Sequence, residues 1–166
     1  VAPAHRRGER RVLAERNWLD WAKENNLPMH IFRLAGIYGP GRNALENVRR
    51  GTARRIVKPG HVFSRIHVDD IATVIEASIN QPNPGAIYNV CDDEAAPPQD
   101  VVAFAAELLD VEPPQEIPIE HAELSPMAAS FYLDNKRVRN DRIKRELAVR
   151  LRYPDYRAGL RALLKG

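Results

Sequence analysis

Helical periodicity alternates with short apolar runs along this sequence, and that alternation constrains the fold more than any other feature. In residues 8–25, apolar side chains recur every three or four positions, which predicts a helix. Residues 29–35 form a mostly apolar run, typical of a strand that is covered on both faces. Further helices are predicted over 43–50, 141–149 and 154–164, and two more are predicted to begin at 69 and at 97. Further strands are predicted over 54–58, 63–68 and 86–90. This order predicts an α/β fold with a parallel sheet.

Two of the predicted helices carry pronounced apolar stripes. The helix over 8–25 has one apolar face, made of Ala14, Trp18, Trp21 and Ala22. The helix that begins at 69 is expected to bury a stripe made of Ile71, Val74, Ile75 and Ile79. Between these helices, residues 36–41 contain three glycines and are predicted to be a loop. Residues 112–132 are rich in proline and acidic residues, which predicts an irregular segment.

Composition narrows the class of protein. The chain has 166 residues, of which 44% are hydrophobic and 28% charged, so it has enough apolar chain for one ordinary domain and is not disordered. The single cysteine, Cys91, excludes an internal disulfide and fits a reducing, cytoplasmic location. No apolar run approaches the roughly 18 residues of a membrane helix, so no membrane partner is expected.

Charge is segregated along the chain. Residues 92–124 contain ten acidic residues and no Lys or Arg, whereas residues 135–152 contain eight basic residues and two acidic ones. One interpretation is two solvated faces that attract each other weakly. The other is a basic surface that binds an anion, a phosphate or a nucleic acid. The acidic segment argues against a uniformly basic surface, so a nucleic-acid partner is not expected.

Common catalytic motifs are absent from the sequence. The five histidines show no zinc-binding spacing and have no cysteine pair beside them, so no metal site is predicted. The sequence contains no Gly-x-Ser-x-Gly elbow and no Gly-x-Gly-x-x-Gly or P-loop cradle. The glycine-rich segment 36–41 follows a predicted strand, so it is either a simple turn or a ligand-binding loop at the carboxyl end of a parallel strand.

Four stretches in a fixed order nevertheless resemble a known family. They are RGERRVLAE at 7–15, RLAGIYGPG at 33–41, RIHVDDIA at 65–72 and AIYNV at 86–90. With the closing segment 135–160, they resemble the C-terminal half of an extended or atypical short-chain dehydrogenase/reductase, in the NAD-dependent epimerase/dehydratase family. The similarity covers nearly the whole chain.

The resemblance implies the C-terminal part of a Rossmann-type fold, doubly wound and mostly parallel, plus a small substrate-binding lobe. Residues 1–166 would form a single partial domain. Residues 1–91 would be the late part of the NAD(P)-binding unit, and 92–166 mostly the substrate-binding lobe and closing helices, interleaved with it. The family's Gly-x-x-Gly-x-x-Gly loop is absent here. Two strong strands are too few for a core, and the first residue is Val1, so we expect a missing N-terminal half or another chain to cover the sheet.

The resemblance also places the family's catalytic pair on the first predicted helix. Members commonly carry Tyr-x-x-x-Lys there, followed four residues later by Glu. Aligning that Glu with Glu15 puts Arg7 at the tyrosine position and Arg11 at the lysine position. An arginine stays protonated and cannot serve as the acid–base group, so tyrosine-dependent hydride chemistry is not expected. Alternatively, both arginines are simply exposed side chains on the surface of the helix, with no functional role.

Other roles follow from the resemblance residue by residue. Leu34, Ala35, Gly36 and Ile37 match the segment that lies against the nicotinamide end of the cofactor. Arg42, Asn43 and Arg65 lie where members contact their substrate, although a structural ion pair of Arg65 with Asp69 or Asp70 is an equal alternative. His67 and the two aspartates are expected to fix a strand-to-helix junction, while Tyr88 and Asn89 either line the cleft or pack.

The family implies a function only for the intact parent protein. That parent would use NAD or NADP and act as an oxidoreductase, epimerase or dehydratase on a small sugar-like or nucleotide-linked substrate. It could also form a homo-oligomer. The alternative is a non-catalytic binding or partner module with a degenerate active site.

Overall fold

A computed structural model describes residues 6–133, 135 and 137–165 of the chain. Helices and short strands alternate as predicted. In chain order the elements are α1 (Arg6–Glu24), β1 (Ile31–Leu34), β2 (Gly36–Tyr38), α2 (Ala44–Arg49), β3 (Arg55–Val57), β4 (Arg65–His67), α3 (Val68–Asn80), β5 (Ile87–Val90), α4 (Pro98–Leu108), β6 (Glu116–Pro118), a 3₁₀ turn (Ile119–His121), α5 (Pro126–Leu133), α6 (Asp141–Glu146) and α7 (Tyr156–Lys165).

The strands of the described residues form three parallel pairs. β1 pairs with β5 from Ile31 opposite Ile87 to Leu34 opposite Val90. β2 pairs with β4, and β3 pairs with β6. Parallel pairs need long crossover connections, and helices fill them here, so the predicted α/β class is confirmed.

The prediction that 36–41 is wholly a loop is wrong, because its first half is strand β2. The Gly36 N–H donates to the Ser64 carbonyl at 3.1 Å, and Tyr38 lies opposite His67 in the ladder. Glycine weakens a strand, but parallel pairing with β4 overrides that preference. Only the second half turns back, through reciprocal backbone hydrogen bonds between Gly39 and Arg42.

The prediction that 112–132 is irregular is also wrong in part. The segment contains β6, the 3₁₀ turn and most of α5. Two of its four prolines lie at element ends, where they are tolerated: Pro118 closes β6 and Pro126 opens α5. The Ser125 hydroxyl accepts a hydrogen bond from the Ala128 N–H, which caps the first turn of α5.

Two apolar clusters hold these elements together. The first joins β4, β5, α3 and α6 through Ile66, Val74, Ala86, Tyr88, Val90, Ile143, Leu147 and Val149. The second joins α2, α4 and α7 through Leu45, Ala96, Val101, Ala105, Tyr156 and Leu160. Helices α4, α6 and α7 therefore each bury an apolar side in the core.

The apolar faces of α1 and α3 are only partly covered. On α1, Ala22 is buried, but Trp18 and Trp21 are exposed and touch each other edge to face. On α3, Val74 is buried, whereas Ile75 and Ile79 are exposed, so the predicted burial of the whole α3 stripe is wrong. Periodicity reveals which side chains share a face but not whether the same chain covers it.

Oppositely charged segments meet at the end of β5. Asp93 pairs with Lys144 and accepts a hydrogen bond from the Asn140 amide at 2.7 Å. Glu94 accepts from Arg157 at 2.7 Å. The contacts of Asp93 with Lys144 and Asn140 support the interpretation that the acidic and basic segments attract each other. No helix among the described residues is long and apolar enough to cross a membrane.

Candidate functional site

Three chain segments converge at the carboxyl ends of β1 and β5. The chain from β1 to β2 changes its pairing partner here: the Ala35 N–H donates to Val90, and the next N–H, of Gly36, donates to Ser64. The Asp92 N–H then donates to the Arg65 carbonyl at 2.7 Å. In open α/β sheets, ligands bind outside the carboxyl ends of parallel strands. The predicted cofactor segment, residues 34–37, therefore lies at the end of the sheet where a ligand is expected.

The surface of that segment suits a flat, partly apolar ligand. Leu34 is 44% exposed and Ile37 is 37% exposed, and Gly36 between them leaves its backbone open to solvent. A ring could approach the Gly36 backbone closely and rest on the two aliphatic side chains. The residues present fit the nicotinamide end of a dinucleotide, while assignment of that role to Leu34, Ala35, Gly36 and Ile37 stays a prediction.

Arg65 of β4 lies opposite Gly36 in the ladder between β2 and β4. Its Nη1 donates to the Phe63 carbonyl at 2.9 Å and to the Ala96 carbonyl at 3.1 Å. Its Nε and Nη2 make no hydrogen bond to the described residues. Burial lowers the pKa of Arg65, which nevertheless stays protonated.

The alternative partners considered for Arg65 are occupied elsewhere. Asp70 is buried and accepts hydrogen bonds from the backbone N–H groups of Arg152 at 2.7 Å and Tyr153 at 3.1 Å. The Asp69 carboxylate accepts a hydrogen bond from the Tyr153 hydroxyl at 3.5 Å. His67 caps α3 as expected, since its Nδ1 accepts from the Asp69 N–H at 3.2 Å. The two aspartates tie the start of α3 to residues 152 and 153.

A buried carboxyl group near Arg65 was not predicted. Asp92 is only 3% exposed, and neither of its oxygens has a hydrogen-bond partner among the described residues. Burial raises the pKa of Asp92 to about 7, although the Arg65 charge opposes that shift. Burial of the Tyr38 side chain raises the pKa of its hydroxyl, and the nearby Asp92 charge raises it further. The sequence signal was an acidic residue two positions after a predicted strand, which alone does not reveal its partners.

The two other predicted substrate contacts lie just before α2. The Asn43 side chain is used locally: its Oδ1 accepts from the Glu46 N–H at 3.0 Å, and its Nδ2 donates to the Gly39 carbonyl at 2.9 Å. It therefore caps α2. Arg42 is exposed. Contact of either residue with a substrate stays a prediction.

The remaining predicted residues divide between helix and core. Arg11 is exposed on α1, and the side chain of Arg7 lies outside the described part of the structure. Tyr88 is fully buried, where its hydroxyl accepts from Asn83, so it packs rather than lining a cleft. Asn89 is half-buried, and its amide donates to the Arg139 carbonyl at 3.5 Å.

Residues 6–133, 135 and 137–165 contain no group of three side chains that could hold a metal ion.

Comparison with known proteins shows the fold but not a family. No family model matches the sequence. A solved structure of a functionally unknown conserved protein from Silicibacter pomeroyi is 58% identical, with a TM-score of 0.90, over 99% of this chain and 57% of that one. The Escherichia coli K12 protein YeeZ is 37% identical over 110 residues, which are 63% of this chain and 37% of YeeZ.

A better-characterised enzyme shares the architecture at low sequence identity. The dTDP-glucose 4,6-dehydratase of Bacillus anthracis, solved in complex with NAD, superposes with a TM-score of 0.75 and 18% identity, over 99% of this chain and 52% of the enzyme. The α/β fold with parallel strands therefore matches the Rossmann-like fold of that structure. The chain spans about half the length of these solved structures and just over a third of YeeZ.

Proposed function

We propose that this chain is the C-terminal portion of an NAD(P)-binding protein of the epimerase/dehydratase type and supplies the nicotinamide side of its cofactor site. The observation that carries the proposal is the segment 34–37, where exposed Leu34 and Ile37 flank an open glycine backbone at the carboxyl ends of parallel strands. Support comes from the likeness in fold to a dehydratase with NAD bound.

The cofactor would contact this chain through few groups. The backbone of Ala35 and Gly36 would meet the nicotinamide carboxamide, and Ile37 would pack on the ring. When bound, the dinucleotide supplies hydride transfer. Since the sequence lacks the glycine loop that holds a pyrophosphate, residues beyond this chain would bind the phosphates and the adenosine.

The sheet itself indicates that further strands belong beside β1. Within the described residues, β1 pairs with β5 along one edge, and its other edge has no strand beside it. An unpaired strand edge and an exposed Trp18–Trp21 pair on α1 are both unfavourable in water. We propose that the remaining portion of the parent, or another chain, adds strands at this edge.

Arg65 and Arg42 are the proposed substrate-binding groups. The unused edge of the Arg65 guanidinium can donate two parallel hydrogen bonds to a phosphate or carboxylate. Such an anionic group fits a nucleotide-linked or otherwise acidic sugar-like substrate. Arg42 is exposed in the turn that follows β2 and could reach the same ligand.

A second candidate function is a binding module without catalysis. Arg11 is exposed at the position proposed for the lysine of Tyr-x-x-x-Lys, and an arginine at the tyrosine position cannot exchange a proton near neutral pH. This candidate predicts that the parent binds a dinucleotide whose absorbance stays unchanged when nucleotide-linked sugars are added. Catalytic turnover of bound NADH under those conditions would exclude it.

The cofactor proposal can be tested with a matched pair of substitutions in the full gene product. Ile37→Asp places a charge where the ring would pack, and Leu133→Asp places the same charge at an exposed site on α5. Fluorescence titration with NADH and NADPH should show about tenfold weaker binding for Ile37→Asp, which corresponds to ~1.4 kcal/mol, and no change for Leu133→Asp. Equal affinity in both variants would contradict the assignment of residue 37.

A further inference from the structure

Helix α3 carries a continuous apolar stripe on a side that faces away from the core. Val68, Ala72, Ile75 and Ile79 recur at intervals of four, three and four residues, so they lie in one row along the helix. All four are exposed, and Ile79 is 72% exposed. We name this row the α3 stripe.

The α3 stripe differs from an ordinary solvent-facing side. The polar residues of α3 lie on other sides of the helix, so nothing charged interrupts the row. Three of its four members are β-branched aliphatic residues, and transfer of such side chains out of water is favourable. A helix with one buried apolar side and a second exposed apolar row is typical of a helix packed between two neighbours.

The position of α3 indicates which neighbour is missing. Side chains alternate along strands, so Phe32 and Leu34 of β1 point to the same face of the sheet as Tyr88 and Val90 of β5. Val74 of α3 lies in one core cluster with these β5 residues, and Phe32 packs against it. Helix α3 therefore covers that face, while Leu34 at its margin is 44% exposed.

A sheet that continues beyond β1 needs another helix on this face. Parallel sheets are covered by helices on both faces, and adjacent covering helices pack side by side about 8–10 Å apart. The 58%-identical Silicibacter pomeroyi protein is long enough to supply it, because this chain covers only 57% of that structure.

We propose that the α3 stripe is the docking surface for one helix from the remaining part of the Rossmann-like sheet. Its partner would present a row of small and aliphatic side chains, since the stripe offers no charge and no hydrogen-bonding side chain. This inference rests on the proposed function, because it requires the sheet to continue beyond β1.

Thiol labelling can test this docking surface in the intact protein. The chain has one cysteine, Cys91, which is fully buried and whose pKa burial raises to about 12, so it reacts slowly. Ile79→Cys adds an accessible thiol on the stripe. Leu133→Cys is the matched control, because Leu133 on α5 is also 72% exposed. Both variants are labelled with a maleimide in the 166-residue chain and in the full gene product, and the tryptic peptides are quantified by mass spectrometry.

The docking model predicts a specific loss of reactivity. Relative to the isolated chain, labelling at position 79 should slow at least about tenfold in the full gene product, and labelling at position 133 should change less than about twofold, as expected for burial of one site only. Equal labelling at position 79 in both proteins would overturn the inference. Protection that grows with the concentration of the isolated chain would also overturn it, since the occupant would then be a second copy.

Dinucleotide binding by the same full gene product separates this inference from the proposed function. Binding with an unprotected thiol at position 79 would overturn the docking surface alone. Protection without any binding of NADH or NADPH would leave the docking surface supported and would contradict the proposed function.

Discussion

The carboxylate of Glu15 on α1 holds the guanidinium of Arg33 on β1 in a two-pronged ion pair. Arg33 Nη2 lies 2.6 Å from Glu15 Oε2, and Arg33 Nε lies 3.0 Å from Oε1. Hydrogen bonding by Arg33 lowers the pKa of Glu15, and that by Glu15 raises the pKa of Arg33. This pair therefore ties α1 to β1.

Breaking that pair should loosen α1 without unfolding the protein. Both tryptophans, Trp18 and Trp21, are on α1, so tryptophan anisotropy reports on this helix alone. Arg33→Ala should lower the anisotropy and change the free energy of unfolding by less than about 1 kcal/mol, because the pair is partly exposed. Arg16→Ala, on the same helix, should change neither.

Acid should loosen α1 in the same way. The folded-state pKa of Glu15 is lowered, so its contribution is present above the unfolded-state pKa and is lost as the pH falls through the folded-state value. Tryptophan anisotropy of the wild-type chain should therefore fall at acidic pH, and that of Arg33→Ala should not. Parallel pH profiles for the two proteins would contradict this account.

Gly159 in α7 should tolerate no side chain. A Cβ there would lie 2.1 Å from the Tyr38 hydroxyl oxygen and 2.7 Å from two ring carbons. Gly159→Ala should cost about 2–3 kcal/mol in urea denaturation. Gly36→Ala is the control, since the nearest atom to its new Cβ would be 3.4 Å away. In a Tyr38→Ala background, the cost of Gly159→Ala should largely disappear.

Asp92 should make the fold less stable as the pH rises. Its folded-state pKa is raised to about 7, so its protonated form stabilises the fold fully below the unfolded-state pKa, and that stability is lost as the pH rises toward 7. Asp92→Asn should remove this decline, which amounts to about 1 kcal/mol per pH unit. Urea denaturation at several pH values between 4 and 8 measures it.

Two buried histidines make the fold less stable as the pH falls, which is opposite to the effect of Asp92. The contribution of Asp92 is therefore measured as the difference in stability between a variant and the wild type. Burial lowers the pKa values of His61 and His67, and the stability of their neutral forms is lost as the pH falls through their unfolded-state values. The difference between Asp92→Asn and wild type isolates the carboxyl group. An Asp20→Asn control at an exposed site should reproduce the wild-type profile, and an Asp92→Asn profile identical to wild type would refute the buried-carboxyl account.

Adjacent aspartates should differ sharply in their contribution to stability. Asp70 is fully buried and accepts two backbone N–H bonds from residues 152 and 153, which ties α3 to the segment before α7. Asp70→Asn replaces one acceptor by a donor and should cost about 2–3 kcal/mol. Asp69→Asn, at the exposed neighbour, should cost less than about 1 kcal/mol. Equal costs in thermal or urea denaturation would contradict the assigned roles.

Helices and parallel strands could be predicted because their signals are local. Apolar spacing placed α4 and α7 within a few residues, and the run 29–35 contained β1. Strand β2 was missed because three glycines within six residues outweigh a ladder that forms only with a partner distant in sequence. Helix α5 was missed because prolines at element boundaries look the same as prolines that break an element.

The site was less predictable because its properties depend on contacts between distant segments. Sequence placed the segment 34–37 after a strand, but it could not show that the same segment changes partner from β5 to β4. Nor could it show that Asp92 is buried beside Arg65, or that Ile79 has no cover within the described chain. Those facts belong to the tertiary structure.

The proposed cofactor site is tested by titrating the full gene product and the 166-residue chain with NADH and NADPH, with the intact mass of each measured alongside. We expect a gene product well above 18.8 kDa that binds one of the two dinucleotides, and much weaker binding by the isolated chain. A gene product of 18.8 kDa, or a longer one that binds neither dinucleotide, would contradict it.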